Sequence, residues 1–172
     1  MSEFDAEYQR LMDEARARAR GRNDVVDYLN LRAVNDRVRA GGIEWLFTTF
    51  ASFAGEANRS GAGINFTRTD AHRFRVGNST MVGERLTLTV GVRSLTVEAG
   101  WPRAPRDGIV RGGGLAAAKV AHFGERSAGE ELLLIPSGKD APRWFALDDN
   151  GARSEFLEDR VRRHVNRLSG KK

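Results

Sequence analysis

The hydrophobic period of the chain changes near residue 62, and this change constrains the fold more than any other feature. Before that point, apolar residues recur every three to four positions, as they do on one face of a helix. After it they alternate every second position, as in a half-buried strand, until a helical period returns from Ser154 onward. The order predicts an α+β fold with N-terminal helices, an antiparallel sheet or partly closed barrel of six to seven strands, and a C-terminal amphipathic helix.

The first predicted helix covers residues 3–20 and ends at Gly21, since glycine is the usual residue just past a helix. Its apolar residues Phe4, Tyr8 and Leu11 form a thin stripe on a helix whose charges balance. A helix of this length is marginal alone, so the stripe needs a partner. We predict self-association through these three residues, with packing against the body of the same chain as the alternative.

Two further helices are predicted before the change of period. Asn23 is a suitable N-cap for the second helix, and the pair Gly41-Gly42 is predicted to stop it. The third helix covers residues 43–58 and is the most apolar, with Phe50 on its inward face. We expect it at the centre of the core.

The strands are predicted from alternation and from the turn residues between them. The candidate strands are residues 64–66, 72–76, 85–97, 115–123, 132–135 and 144–147. Residues 85–97 are either a tight hairpin or one bent strand. Ser154 is predicted to cap the last helix, whose inward stripe is Leu157, Val161, Val165 and Leu168. The chain then divides into a helical extension, residues 1–41, and an α+β core, residues 42–172.

Composition removes several classes of function. The chain has no cysteine, which excludes a disulfide framework, a thiol nucleophile and cysteine-ligated metal centres. No window approaches 18 consecutive apolar residues, so we expect no membrane span. The first five residues carry acids rather than a basic segment followed by an apolar run, and we therefore expect a cytoplasmic protein. No cofactor is predicted.

Positive charge is concentrated in two segments of a chain whose net charge is +5. Residues 101–129 have 5 bases against 2 acids, and residues 151–172 have 7 against 3. Between them, residues 130–150 have 2 bases against 5 acids. Arginine forks suit phosphate and carboxylate partners. The alternative is that the arginine excess reflects genome composition alone.

The two basic segments supply the predicted binding residues. In the first, a loop by composition, an aromatic residue accompanies three arginines, a combination that binds phosphate and stacks a base or anchors a protein partner. In the second, one face of the last helix is a candidate phosphate contact. The residues are Trp101, Arg103, Arg106, Arg111, Arg160, Arg163 and Arg167. The alternative for the first segment is a solvated loop with Trp101 folded onto the core. The alternative for the second is an ordinary solvent-exposed helix face.

Catalytic patterns are weak. His72, His122 and Asp70 are conceivable metal ligands, but they have neither H-x-H nor H-E-x-x-H spacing. We predict no metal site and leave the catalytic residues unassigned. The preferred function is a non-enzymatic binding or assembly module that self-associates or docks to a protein partner. The alternatives are a basic nucleic-acid-binding domain and an enzyme that uses His72 or His122.

Overall fold

The computed structural model describes residues 3–19 and 24–171, and shows there an α+β fold with three α-helices. Helix α1 is Glu3–Ala19, α2 is Asp24–Arg59 and α3 is Glu158–Ser169. The predicted helix boundaries at Gly21 and Asn23 lie outside the described residues. No α-helix in the described ranges has an apolar stretch long enough to cross a bilayer.

Seven strands form one antiparallel sheet in which each strand pairs with its neighbour in the sequence. The strands are β1 Asn65–Val76, β2 Ser79–Val90, β3 Arg93–Trp101, β4 Ala116–His122, β5 Glu125–Ser137, β6 Asp140–Leu147 and β7 Arg153–Glu155. This confirms the predicted antiparallel sheet of six to seven strands. The sheet is an open meander and not a closed barrel, because β1 and β7 each pair with only one strand.

Two ambiguities of the strand pattern have local backbone causes. Residues 64–66 and 72–76 belong to one strand, β1, whose pairing with β2 shifts register between Thr69 and His72. Ala71 in this bulge has φ 52°, so the bulge inverts which residues face the core. Residues 85–97 form a hairpin, since Val90 pairs with Arg93 across a two-residue turn.

The main core lies between one face of the sheet and the two helices α2 and α3. Phe50 is 0% exposed in this core, which confirms that the segment after residue 43 is central. Helix α3 contributes Val161, Val165 and Leu168, as predicted from its stripe. Leu157 departs from the prediction, because it precedes the helix and is exposed.

The predicted helix stop at Gly41-Gly42 is wrong, because α2 runs through both residues without a break. The glycines permit close packing instead. A Cβ atom on Gly41 would lie 2.7 Å from the Phe4 ring, and one on Gly42 would lie 2.7 Å from a methyl carbon of Leu134. The carbonyl of Gly42 also accepts a hydrogen bond of 2.9 Å from the Trp144 indole. The pair therefore seats α2 against α1 and the sheet.

Alanine substitutions at two glycines of α2 are expected to have opposite effects. Gly55→Ala should raise the free energy of unfolding by about 0.5–1 kcal/mol, because a Cβ there meets nothing within 4 Å and alanine favours a helix. Gly42→Ala should lower it by about 1–3 kcal/mol, because Leu134 is fully buried and overpacking strains the core. Urea denaturation of both variants measures this difference, and stabilisation by both would show that the contact at Gly42 is unimportant.

The predicted cap at Ser154 is also wrong, because Ser154 lies in β7. The N-cap position of α3 is Leu157, whose side chain makes no capping hydrogen bond. Acidic residues Glu158 and Asp159 occupy the first turn, where the helix dipole favours them. The helix ends at Gly170, which has the left-handed conformation with φ 76°.

Candidate functional site

The aromatic residue of the predicted binding loop belongs to the protein core. Trp101 is 7% exposed and packs within the main core on the helix-facing side of β3. The guanidinium carbon of Arg103 lies 3.6 Å from the centre of its ring. Because the protein's own arginine covers the ring, Trp101 offers no free face for stacking a ligand.

Residues 101–111, which we name the arginine loop, are held by a buried carboxylate. Asp107 accepts hydrogen bonds from the backbone N–H groups of Arg103 and Ala104, at 3.2 and 3.1 Å. It also pairs with Arg73 at 3.0 Å. Arg111 forms an ion pair with Glu131. In the described chain Arg106 is exposed without such a partner, so it is the loop residue with the most freedom to bind a ligand.

The predicted arginines of α3 are paired with carboxylates. Arg160 contacts Glu130 at 2.9 Å, and Arg167 contacts Glu125 at 2.7 Å. Arg163 lies 3.8 Å from Asp159 on the same helix, in a pair that is highly exposed. These ion pairs balance much of the positive charge that the sequence concentrates on this helix.

The two predicted basic segments contact opposite faces of β5. Arg111 pairs with Glu131 and Arg160 pairs with Glu130, which are consecutive residues of the strand. Consecutive side chains of a strand point to opposite faces. The arginine loop and the α3 face therefore do not form one continuous binding surface.

The three histidines form two separate hydrogen-bonded groups. On the core side, His122 Nε2 lies 2.9 Å from His164 Nδ1, and both rings are buried. His164 Nε2 lies 3.6 Å from Glu130. His72 instead contacts Glu98, at 2.7 Å. Across residues 3–19 and 24–171, no group of three histidine, aspartate or glutamate side chains is placed to hold a metal ion.

The buried His122 makes folding stability depend on pH. Burial, together with His164 and Arg167, lowers the pKa of His122 from 6.5 to about 4. As the pH falls from 7 to 5, the unfolded chain binds a proton at His122 that the folded protein largely does not bind. The contribution of the uncharged His122 to folding stability is therefore fully present above pH 6.5 and is lost as the pH decreases towards 4.

We expect the free energy of unfolding to decrease by about 1–2 kcal/mol between pH 7 and pH 5 because of His122. Urea denaturation at the two pH values measures the change, and His122→Gln should reduce it. Burial raises the pKa of the half-buried Glu130, but hydrogen bonds from His164 and Arg160 outweigh this effect and lower the pKa below its ordinary value, so this carboxyl does not titrate between pH 7 and pH 5. An identical pH dependence in the variant would contradict the assignment.

The predicted self-association stripe packs within the chain. Leu11 is buried against Val34 and Val38 of α2, and Tyr8 packs against the same cluster. The Phe4 ring lies over Gly41. In this structure the stripe therefore packs against the body of the same chain, which is the alternative to self-association given above.

An unpredicted feature lies at the end of the sheet where β2 meets β3 and β4 meets β5. Two two-residue turns, Gly91-Val92 and Phe123-Gly124, stand side by side, and we name them the paired turns. The Phe123 N–H donates a hydrogen bond of 2.9 Å to the Ser94 carbonyl, which joins them. Val92 is 94% exposed and Phe123 is 81% exposed. Two apolar side chains at adjacent turn tips are unusual, because polar residues and glycine dominate such turns.

Basic residues surround the paired turns. They come from the end of α2, the first residue of β3, the start of β5 and the segment after α3, and they are Arg59, Arg93, Arg126 and Lys171. Arg93 Nη1 lies 2.6 Å from the point that a Cβ atom would occupy on Gly170, so β3 and α3 meet here.

Acids also lie near this end, since Asp148 and Asp149 of the turn between β6 and β7 line a groove with Arg126. Glu125 pairs with Arg167, and Glu56 pairs with Arg162 at 3.0 Å. Within the described ranges, Arg59, Arg126 and Lys171 form no ion pair. The paired turns are therefore two exposed apolar tips beside basic side chains that form no ion pair in the described chain.

Comparison of the chain with protein-family models, curated proteins and solved structures finds no match.

Proposed function

We propose that the chain is a non-enzymatic binding module that attaches to an anionic partner through the paired turns and the basic residues around them. The observation that carries this proposal is the coincidence of two strongly exposed apolar side chains, Val92 and Phe123, with basic side chains that form no ion pair within the described residues, namely Arg59, Arg126 and Lys171. Exposed apolar groups that cluster with charge of one sign are typical of interaction sites.

The basic segments predicted from sequence support binding less well. Arg111, Arg160 and Arg167 each form an ion pair within the chain, so a polyanion would have to displace a carboxylate to reach them. The groove between α3 and β5 has a volume of about 390 Å³, but Glu130 and Asp148 line it together with the arginines. Displacing such pairs offsets the attraction of an anionic ligand.

Binding to heparin, a soluble polyanion, tests the proposal. The affinity should fall steeply with salt, because basic residues that contact the polymer release its counterions. The double variant Arg93→Gln/Lys171→Gln should lower the affinity at about 50 mM salt. It should also make the affinity less dependent on salt, by the amount expected for the loss of about two ionic contacts. The matched control is Arg75→Gln/Arg106→Gln, which removes two exposed arginines near the other end of the sheet.

The control variant should bind heparin as the unmodified protein does. A loss of affinity in the control, with none in Arg93→Gln/Lys171→Gln, would place the interaction at the arginine loop instead. No binding of the unmodified protein at low salt would remove the proposed function.

Self-association is a second candidate function, favoured by the face of α2 that points away from α1. Val25, Tyr28 and Leu29 recur there at helical spacing and are all exposed. Arg32 and Asp36 continue the same face with opposite charges, a pattern that suits a second copy in a self-complementary interface. Light scattering should then give a dimer that Tyr28→Ser/Leu29→Ser converts to a monomer. A monomer at all concentrations would exclude this candidate.

A further inference from the structure

We infer that the anionic partner is a lipid surface, and that Val92 and Phe123 insert into it while the surrounding basic side chains contact the phosphate groups. The inference rests on the proposed function and assigns the class of partner. Its first support is the geometry of the two turns.

The paired turns carry both apolar side chains at the same end of the sheet. Leu95 of β3 pairs with His122, the last residue of β4, and β3 extends two residues further, so the turn with Val92 projects beyond the turn with Phe123. Each strand then enters a turn of only two residues, and the turns carry Val92 and Phe123. Both turns project from the same end of the sheet, so one surface can contact both tips.

The exposure of the two side chains favours an apolar environment. Val92 and Phe123 leave most of their surface in water, although the fold buries other valine and phenylalanine residues such as Val97 and Phe50 completely. Transfer of exposed apolar surface out of water is favourable in proportion to its area. An interfacial protein uses such side chains in the boundary between headgroups and acyl chains.

The basic side chains lie beside the tips, where a lipid headgroup would be. Arg93 directly follows Val92, and Arg126 follows Gly124 by two residues. Lys171 lies beyond the end of α3, near the position where Arg93 meets Gly170. Anionic lipids attract such residues within about 10 Å at 0.1 M salt, and a single basic residue contributes modestly. Several bases together with apolar insertion give the two signals that stable attachment requires.

A lipid surface suits the paired turns better than a nucleic acid does. Proteins that bind single strands combine a basic groove with several aromatic side chains on which successive bases stack. Of the two exposed tips, Phe123 alone has an aromatic ring, and the valine beside it has no face for stacking. The other aromatic residue expected to stack a base, Trp101, is buried in the core.

The opposite end of the sheet supplies a matched control. Ile109 is 77% exposed, and its N–H donates to the Ser79 hydroxyl at the start of β2. Val90, which precedes the first of the paired turns, is at the other end of the same strand. The strand separates these ends by roughly 35 Å at about 3.3 Å per residue. Ile109→Ser therefore removes a comparable exposed aliphatic side chain from a distant surface.

Co-sedimentation of the full chain with phospholipid vesicles tests the inference. Vesicles of phosphatidylcholine with about 30% phosphatidylserine should sediment the protein, and vesicles of phosphatidylcholine alone should sediment little of it. Val92→Ser/Phe123→Ser should weaken binding by about tenfold or more, because both inserting groups are lost. Ile109→Ser should leave the binding unchanged. Thermal unfolding of each variant confirms that the fold is kept, which we expect because the replaced side chains are exposed.

The outcomes separate this inference from the proposed function. Binding to heparin or to an oligonucleotide without binding to the anionic vesicles would overturn the lipid assignment and leave the anion-binding function standing. Binding to neither would overturn both. Equal vesicle binding by the unmodified protein and by Val92→Ser/Phe123→Ser would show that the apolar tips do not insert, and would also overturn the inference.

Discussion

Phe50→Ala is expected to lower the free energy of unfolding by about 3–5 kcal/mol, because it deletes a fully buried ring from the centre of the core. The ring lies 6.5 Å from Phe156 and 6.2 Å from the His164 ring, measured between centroids. The cavity would therefore open between α2, α3 and the segment that leads into α3. Urea denaturation at pH 7 measures the loss.

Phe53→Ala is the control for that substitution, since it lies one turn further along α2. Phe53 is only partly buried, and Arg162 stands 4.4 Å from its ring centre. We expect a smaller loss than at Phe50. Equal losses in the two variants, or a midpoint that hardly moves for Phe50→Ala, would contradict the assignment of Phe50 to the centre of the core.

Trp101→Ala is expected to lower the free energy of unfolding by about 3–5 kcal/mol and to leave the affinity for heparin unchanged. The ring fills the core at the end of β3 and supports the guanidinium of Arg103. Unfolding is followed by circular dichroism, and heparin affinity is measured on the folded variant at low temperature.

The control for Trp101 is Arg103→Ala, which removes the stacked cation and keeps the ring. It should cost about 0.5–2 kcal/mol. A Trp101→Ala variant that keeps its stability but binds heparin less tightly would restore the interpretation of Trp101 as a ligand-binding residue.

The hydrophobic pattern was sufficient to predict the fold class, because a helix that buries one face repeats its apolar residues every three to four positions and a strand repeats them every two. It could not distinguish a helix stop from close packing at Gly41-Gly42, since both uses favour glycine and the contacts with Phe4 and Leu134 are distant in sequence. The bulge at Ala71 likewise inverts the alternation without any glycine or proline to mark it. The division of the chain at residue 41 stays a prediction, although α2 crosses it.

The candidate site was harder to predict than the fold. The excess of arginine in the last helix was visible, but its pairing with Glu125 and Glu130 depends on how β5 lies beside α3. The sequence pattern leaves residues 85–97 open between a hairpin and one bent strand, and it places Phe123 at the end of the candidate strand 115–123. The two turns become one surface only through the pairing of β3 with β4, which local sequence patterns do not encode.

Amide chemical shifts on titration with a heparin fragment test the central claim most directly, because they report the contact surface residue by residue. We expect the largest changes at residues 91–94, 123–126 and 170–171, with little change at residues 102–111. Changes concentrated at residues 102–111, or on the face of α2 formed by Val25, Tyr28 and Leu29, would contradict the claim.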